Sequence, residues 1–373
     1  MNQWTISSLL VKVVATCNLK CSYCFWFRDP VVKTQFSMMP TKVMNALMTR
    51  LDEHLRSNIL ESFHMIIHGG EPLLFGKKRM RDFLHQTQEI CHKNKTRINF
   101  SLQTNGSLID SEWCQIFREY SVSPGVSLDG PPKMNDQFRK DHHSRSTYEQ
   151  TLGGIKTLQE TGFSVPLLAV CNPNEDPEEL VKHFVEELGI NTFDILMPDF
   201  THDEIEKIQS VAAFYVRLFD LWIDKYRSRG VRIRSLELMV GTLLGFLDRT
   251  NESIGYGPMQ IVTVYTDGKL GATDSLGISN YQSKMKFGTI LDQSIDSVKS
   301  CANYQRLVNE SLTLSSKCME CEYALSCGGG MLAHRYSSKD QSYRHPSVYC
   351  NDLLAIFKHI QKRVERCLKW RIA

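Results

Sequence analysis

No run of eighteen uninterrupted apolar residues occurs anywhere in the 373-residue chain, so no membrane-spanning helix is expected. An excess of charge of one sign is also missing. Lys and Arg number 44 against 41 Asp and Glu, and the net charge of +3 is too small to make nucleic acid the default partner. There is no low-complexity tract and no internal repeat. With 42% hydrophobic and 23% charged residues, long disorder is not expected either. No secretory leader is visible, because Lys12 breaks the N-terminal apolar stretch and no cleavage site follows it. The expected compartment is therefore a reducing cytoplasm, where clustered cysteines read as metal ligands rather than disulfides.

Cysteine itself is plentiful and unevenly placed. Of 12 cysteines, Cys91, Cys114, Cys171, Cys301 and Cys367 are scattered, and the rest fall in or near two tight clusters. The first, "CNLKCSYC", places Cys17, Cys21 and Cys24 in a C-x3-C-x2-C pattern directly after an apolar strand-like run. What it lacks is a fourth thiol. A structural zinc takes four protein ligands in a closed tetrahedron. Three thiolates instead suit an open iron–sulfur site with one iron left for a ligand that is not protein.

The first two hundred residues alternate. Strand-like runs Ser7–Thr16, "FHMIIHGGEP", "RINFSLQTNG", "SPGVSLDGPP", "FSVPLLAVCN" and "TFDILMP" are separated by helical periodicity over Thr41–Arg56, Met80–Lys93, Ser111–Tyr120, Tyr148–Glu160 and Asp176–Leu188. Such an alternation predicts an α/β fold, a partial (β/α)6 TIM-like barrel. Each polar or glycine-rich motif falls at the C-terminal end of its strand, the face on which barrels build their sites. After Pro198 the pattern predicts one long amphipathic helix over Asp203–Ser228, a second over Leu236–Leu247, and a hairpin over Gln260–Gly277 turning at Asp267 and Gly268. A loop-rich region with the second cysteine cluster follows. The expected domains are 1–200, the barrel; 201–256, a helical bridge; and 257–373, the loop-rich part. Cys91, Cys114 and Cys171 are expected in the core, and the basic tail "HIQKRVERCLKWR" reads as a solvated helix face.

With its cysteine loop, "GGEP", "TNG", "SLDG" and "MNDQFRK" in order on successive strand ends, the chain resembles the radical S-adenosylmethionine (SAM) enzymes. The resemblance implies that Cys17, Cys21 and Cys24 hold a [4Fe–4S] cluster whose fourth iron chelates SAM, and that reductive cleavage of SAM releases a 5′-deoxyadenosyl radical. It further implies that Gly69, Gly70 and Glu71 meet the SAM ammonium, that Ser127 and Asp129 meet the ribose, and that Arg139 pairs with the SAM carboxylate. Asn105 and Leu196 would line the adenosine pocket, with Tyr23 beside the adenine. His68 stands where some peptide-modifying relatives carry glutamine.

The second cluster, "CMECEYALSCGGGM" followed by Cys350, resembles the C-terminal SPASM domain of radical SAM maturases. That domain carries two auxiliary clusters in its full form. Here Thr273 and Met331 occupy two of its cysteine positions, and no cysteine lies between Cys171 and Cys301. The resemblance therefore implies one auxiliary [4Fe–4S] cluster, held by Cys318, Cys321, Cys327 and Cys350, with Cys301 the candidate stray ligand. A four-cysteine zinc knuckle is the competing reading. Asp274, which follows Thr273, takes the place of a general base in sulfatase-maturating relatives; an ordinary strand-end aspartate is the alternative.

These resemblances imply an oxidoreductase that modifies a ribosomally synthesised precursor peptide, with flavodoxin or ferredoxin as electron donor and neither nucleic acid nor membrane as partner. The cysteine pattern is similar to that of cyclophane-forming maturases, which join an aromatic ring to the β-carbon of a nearby residue. The alternatives are a formylglycine-generating sulfatase maturase, a thioether-forming maturase, and an iron–sulfur sensor without turnover.

Overall fold

The structure, a computed structural model, describes residues 5–246, 254–258, 260–279 and 287–372, apart from the side chains of residue 31 and of 367–372. Two compact units divide it: residues 1–127, 138–165 and 260–306 form the first, and residues 128–137, 166–259 and 307–373 the second.

In the first unit, strands β1 (Ser8–Val14), β2 (Ser62–Gly69), β3 (Arg97–Thr104) and β4 (Val122–Ser127) run parallel in the order β4-β3-β2-β1. Helices Thr41–Ser57, Lys77–Lys93 and Ser111–Glu119 connect them. The expected α/β class is the one observed. Helix Thr41–Ser57 buries Val43, Met44, Leu47, Met48, Leu51 and Leu55, the stripe that its 3.6-residue periodicity announces. Helix Ser111–Glu119 starts where the Asp110 carboxylate accepts from Trp113 N at 2.9 Å.

β1 is buried along nearly its whole length, on both faces, as a central parallel strand must be. Its far edge is covered by a segment more than two hundred residues later. β8 (Val262–Val264) pairs parallel with β1 and antiparallel with β9 (Leu270–Gly271). The expected hairpin turns at Gly268, whose φ of +84° lies where glycine carries no Cβ penalty. That hairpin brings Thr273 and Asp274 into the same unit as the first cysteine loop.

The second unit contains β5 (Leu167–Val170), β6 (Thr192–Leu196) and β7 (Arg232–Ile233), parallel in that order. Here two expectations need correction. The helix expected over Asp203–Ser228 is broken. A short turn of helix spans His202–Lys207, and the long helix starts only at Ala212, running on to Arg229 through a wider turn at Trp222–Tyr226. Asp352 explains the new start, since its Oδ1 accepts from Val211 N at 2.8 Å and Ala212 N at 3.0 Å. A cap supplied by a residue 140 positions away leaves no local signal. The basic tail is not simply solvated either. Within helix Cys350–Ile372, His359 Nε2 meets Asp220 Oδ1 at 2.8 Å, and Arg363 pairs with Asp220 and Asp224. The second expected helix spans Arg234–Leu243; Leu247 lies outside the described residues. No helix among the described residues is long and apolar enough to cross a membrane.

Candidate functional site

The cysteine loop leaves β1 at Val14 and is held by the glycines that end β2. A Cβ on Gly69 would sit 2.2 Å from Val14 O, and one on Gly70 would sit 2.1 Å from Thr16 O. Any side chain there would force the two strand ends apart. Gly70 N and Glu71 N donate instead to Val14 O and Thr16 O at 2.8 and 2.9 Å. Cys24 N donates to Cys21 O at 3.1 Å, and Leu19 N donates to Cys17 Sγ at 3.3 Å. Burial, against the Leu19 N–H bond that lowers it and with the negative charges of Glu71, Cys21 and Cys24 adding to it, pushes the Cys17 thiol up to about 12. Burial also pushes Cys24 up.

Glu71 is fully buried and already engaged. Its Oε1 accepts from Leu73 N at 3.0 Å and Thr104 Oγ1 at 2.7 Å, and its Oε2 from Asn105 N at 2.8 Å. Burial raises its pKa, and these three bonds work against the rise. The carboxylate thus ties the ends of β2 and β3 together. Replacing it with alanine orphans three donors, each costing about 1–3 kcal/mol, so Glu71→Ala is expected to lose at least about 3 kcal/mol of stability in urea denaturation. A loss below about 1 kcal/mol would show that water serves those donors equally well.

The other expected residues of this unit gather on the same strand ends. Asn105 donates from Nδ2 to Asn18 Oδ1 at 2.9 Å and reaches Cys17 Sγ at 3.7 Å. Ser127 Oγ accepts from Gln103 Nε2 at 2.9 Å. Arg139 is buried and donates from Nη1 to the Tyr23 hydroxyl at 2.8 Å. Its positive charge acts on both Cys24 and Glu71. Asp129 and Leu196 belong to the second unit. Asp129 Oδ1 accepts from Val170 N at 3.1 Å, and Leu196 ends β6 beside Met331 and His334 in a cavity of about 80 Å³.

Asp274 has a partner that sequence reasoning passed over. Lys12, fully buried, forms an ion pair with Asp274 Oδ2, and its Nζ lies 3.0 Å from His68 Nδ1. The Trp26 ring lies under the ammonium, 4.3 Å away. Burial pushes the Asp274 carboxyl up, but the Lys12 ammonium and then His68 outweigh it, and Asp274 stays below the usual carboxylate value. The signal was a lysine in the middle of "LLVKVVA", a strand otherwise buried on both faces.

In the second unit, Cys318, Cys321, Cys327 and Cys350 all line one cavity of about 370 Å³, with Lys317, Ser347 and Phe357. Gly328 allows the chain to pass Gly255, whose carbonyl oxygen a Cβ would approach to 2.0 Å. Burial, then the neighbouring Cys318 and Cys350, pushes Cys327 up to about 12. Arg335, buried beside Cys318 and Cys327, donates to the carbonyls of Glu310, Ser311 and Thr313. Met331 lines the separate cavity at the end of β6, and Cys301 belongs to the first unit and does not line the 370 Å³ cavity. Cys91, Cys114 and Cys171 are buried as expected.

Residues 11–186 match the family profile of the Radical SAM superfamily. The chain is a radical SAM enzyme. Its cofactors are SAM and a [4Fe–4S] cluster. It is 24% identical over 371 residues to the cysteine-type anaerobic sulfatase-maturating enzyme of Clostridium novyi (strain NT), covering 96% of each chain. It is also 24% identical over 385 residues to the serine-type anaerobic sulfatase-maturating enzyme of Bacteroides thetaiotaomicron, covering 94% of this chain and 89% of that one. Its fold matches the solved structure of native anSMEcpe with bound AdoMet and Cp18Cys peptide, with a TM-score of 0.82 at 24% identity over 96% of this chain and 98% of that one.

The donor sets suit iron–sulfur clusters. Among the described residues no group of three or more His, Cys, Asp or Glu is gathered tightly enough to hold a metal ion. A cavity of about 370 Å³ bordered by four cysteines also has room for more than a single ion.

Proposed function

We propose that this enzyme oxidises the side chain of a cysteine or serine in a peptide or protein substrate, as sulfatase-maturating enzymes do. The observation that carries the reading is the buried Asp274 carboxylate, kept ionised by Lys12 in the same unit as the three-cysteine loop. The near full-length similarity to sulfatase-maturating enzymes supports it over cyclophane formation.

In this reading Cys17, Cys21 and Cys24 hold the [4Fe–4S] cluster that binds SAM. Gly69, Gly70, Glu71, Asn105, Ser127, Arg139 and Tyr23 would be the SAM contacts of the first unit, with the Arg139 guanidinium as counter-charge for the SAM carboxylate; Asp129 and Leu196 are the candidate SAM contacts of the second. Cys318, Cys321, Cys327 and Cys350 hold one auxiliary [4Fe–4S] cluster in a SPASM-type region. When bound, SAM and its cluster supply a carbon-centred radical that takes one hydrogen atom from the substrate β-carbon. Asp274 would accept the thiol or hydroxyl proton, and an auxiliary cluster, when bound by its four cysteines, would supply the acceptor for the one electron lost. A C=S or C=O bond forms. For cysteine, water then replaces sulfur and releases hydrogen sulfide, leaving the aldehyde.

A second reading, cyclophane formation, is favoured by one feature: Thr273 and Met331 stand where cysteines would hold a second auxiliary cluster. Incubating the reconstituted enzyme with SAM, a flavodoxin reductant and the Cp18Cys peptide separates the two. We expect a product in which oxygen has replaced sulfur and two hydrogens are lost, trappable as a hydrazone. Loss of two hydrogens with sulfur retained, in a peptide carrying an aromatic residue, would favour the crosslink. Absence of both products, with 5′-deoxyadenosine still formed, would remove cysteine oxidation from this chain.

A further inference from the structure

β1 and β2 are in parallel register, and the register sets Lys12 directly opposite His68. The chain then delivers Asp274 to the same place from the far edge, on the segment after β9. Three ionisable groups from three elements therefore meet in a row: Asp274, 8% exposed; Lys12, 0% exposed; and His68, half-buried. Exposure is least in the middle and greater at both ends.

The hydrogen bonds assign the state of His68. Its Nδ1 faces two donors, Lys12 Nζ at 3.0 Å and Gly69 N at 2.9 Å, and one acceptor, the more distant Gly69 O at 3.3 Å. With Lys12 an ammonium, the two shorter contacts both come from donors, and they assign Nδ1 as the bare acceptor nitrogen and the ring proton to Nε2. Burial, then the adjacent Lys12 charge, holds His68 down at about 4, so the ring is neutral at pH 7. The resting triad is thus carboxylate, ammonium and neutral imidazole. Beyond Asp274, the charges acting on Lys12 are Cys24 and then Asp29.

Now let one proton arrive on Asp274. The buried ammonium loses its counter-charge, and burial already favours neutral lysine. The same event changes His68, because the charge that suppresses its basicity disappears if Lys12 gives up a proton. Both changes favour transfer to His68, against the loss of the Asp274 charge, which had raised the ring's basicity by less than Lys12 lowered it. Resting on the base assignment made above, we propose that Asp274, Lys12 and His68 form a proton relay that clears the substrate proton from the base. Asp274 takes the proton from the substrate, and Lys12 passes one of its own to His68 Nδ1. The new carboxylic acid returns its proton to Lys12, restoring the ion pair; His68 releases its Nε2 proton to water, and exchange through water of its Nδ1 proton for one on Nε2 then restores the resting tautomer. One proton enters and one leaves; no electron moves. Asp274 is the catalytic residue, while Lys12 and His68 act through it.

His68→Gln is the informative variant, because its amide oxygen still accepts from Lys12 but cannot take a proton. With the Cp18Cys peptide it should form 5′-deoxyadenosine normally, while product per 5′-deoxyadenosine falls at least about tenfold. His68→Gly should behave likewise and regain turnover when imidazole is added, a rescue that a packing role would not give. An unchanged product ratio in His68→Gln would overturn the relay. A second arm needs no substrate, so it stands even if the peptide is the wrong one. In ¹⁵N-histidine spectra at pH 7, His68 should be the neutral tautomer protonated on Nε2, and it should change in Lys12→Met. A Nδ1-protonated or cationic His68 would overturn the relay whatever the enzyme's substrate proves to be.

Discussion

Asp274→Asn should cleave SAM and abstract hydrogen from the substrate, yet yield little or no product. Asparagine keeps the size and polarity of aspartate but cannot accept a proton at neutral pH. Loss of a general base typically lowers a rate by about 10²–10⁴-fold. With substrate deuterated at the β-carbon, deuterium should still reach 5′-deoxyadenosine while the oxidised peptide fails to accumulate. The structure adds a second consequence. The variant leaves the Lys12 ammonium buried beside a neutral His68, and removing one partner of a buried pair costs about 3–5 kcal/mol. Assays therefore belong well below the melting point, with iron content checked first. Full oxidation by the variant would make another group, or water, the base. Loss of SAM cleavage together with product would instead assign Asp274 to substrate positioning.

The other large effect is expected at the first cysteine loop. Anaerobically reconstituted protein should bind about eight irons, from two complete ligand sets of the [4Fe–4S] type. Replacing Cys17, Cys21 and Cys24 together by alanine should leave about four irons and abolish 5′-deoxyadenosine formation. The remaining irons would belong to Cys318, Cys321, Cys327 and Cys350, which border a cavity of their own in the second unit. About twelve irons in the wild type would mean a further cluster with ligands other than the missing cysteines. About one equivalent of zinc surviving the triple substitution would restore the zinc knuckle.

Asp274 illustrates why functional residues differ in legibility. The resemblance to sulfatase-maturating enzymes singles it out, but its meaning depends on Lys12, which lies 262 positions earlier. A lysine in an apolar strand reads as an interruption until a carboxylate is seen beside it. Likewise Glu71 reads as a ligand-facing carboxylate, whereas its oxygens receive Leu73 N, Thr104 Oγ1 and Asn105 N. Which donors meet a carboxylate is a property of strand ends brought together, and spacing along one strand is silent about it.

What the sequence by itself determined is what short spacings encode. The alternation of period-two and period-3.6 patterns predicted strands β1 to β6 and most of the helices between them, because each element's buried face is written in its own residues. The C-x3-C-x2-C loop likewise pointed to an open iron–sulfur site, since ligand type and spacing are local, while the four later cysteines left a cluster and a zinc knuckle both open. Only the tertiary structure decided the rest. Ala212, not Asp203, starts the long helix, because Asp352 comes from elsewhere to cap it. The hairpin joins β1, and it thereby places Asp274 on Lys12 and, through Lys12, next to His68. Burial then turns three ordinary side chains into a coupled set, since charges removed from water answer to their neighbours and not to their place in the chain.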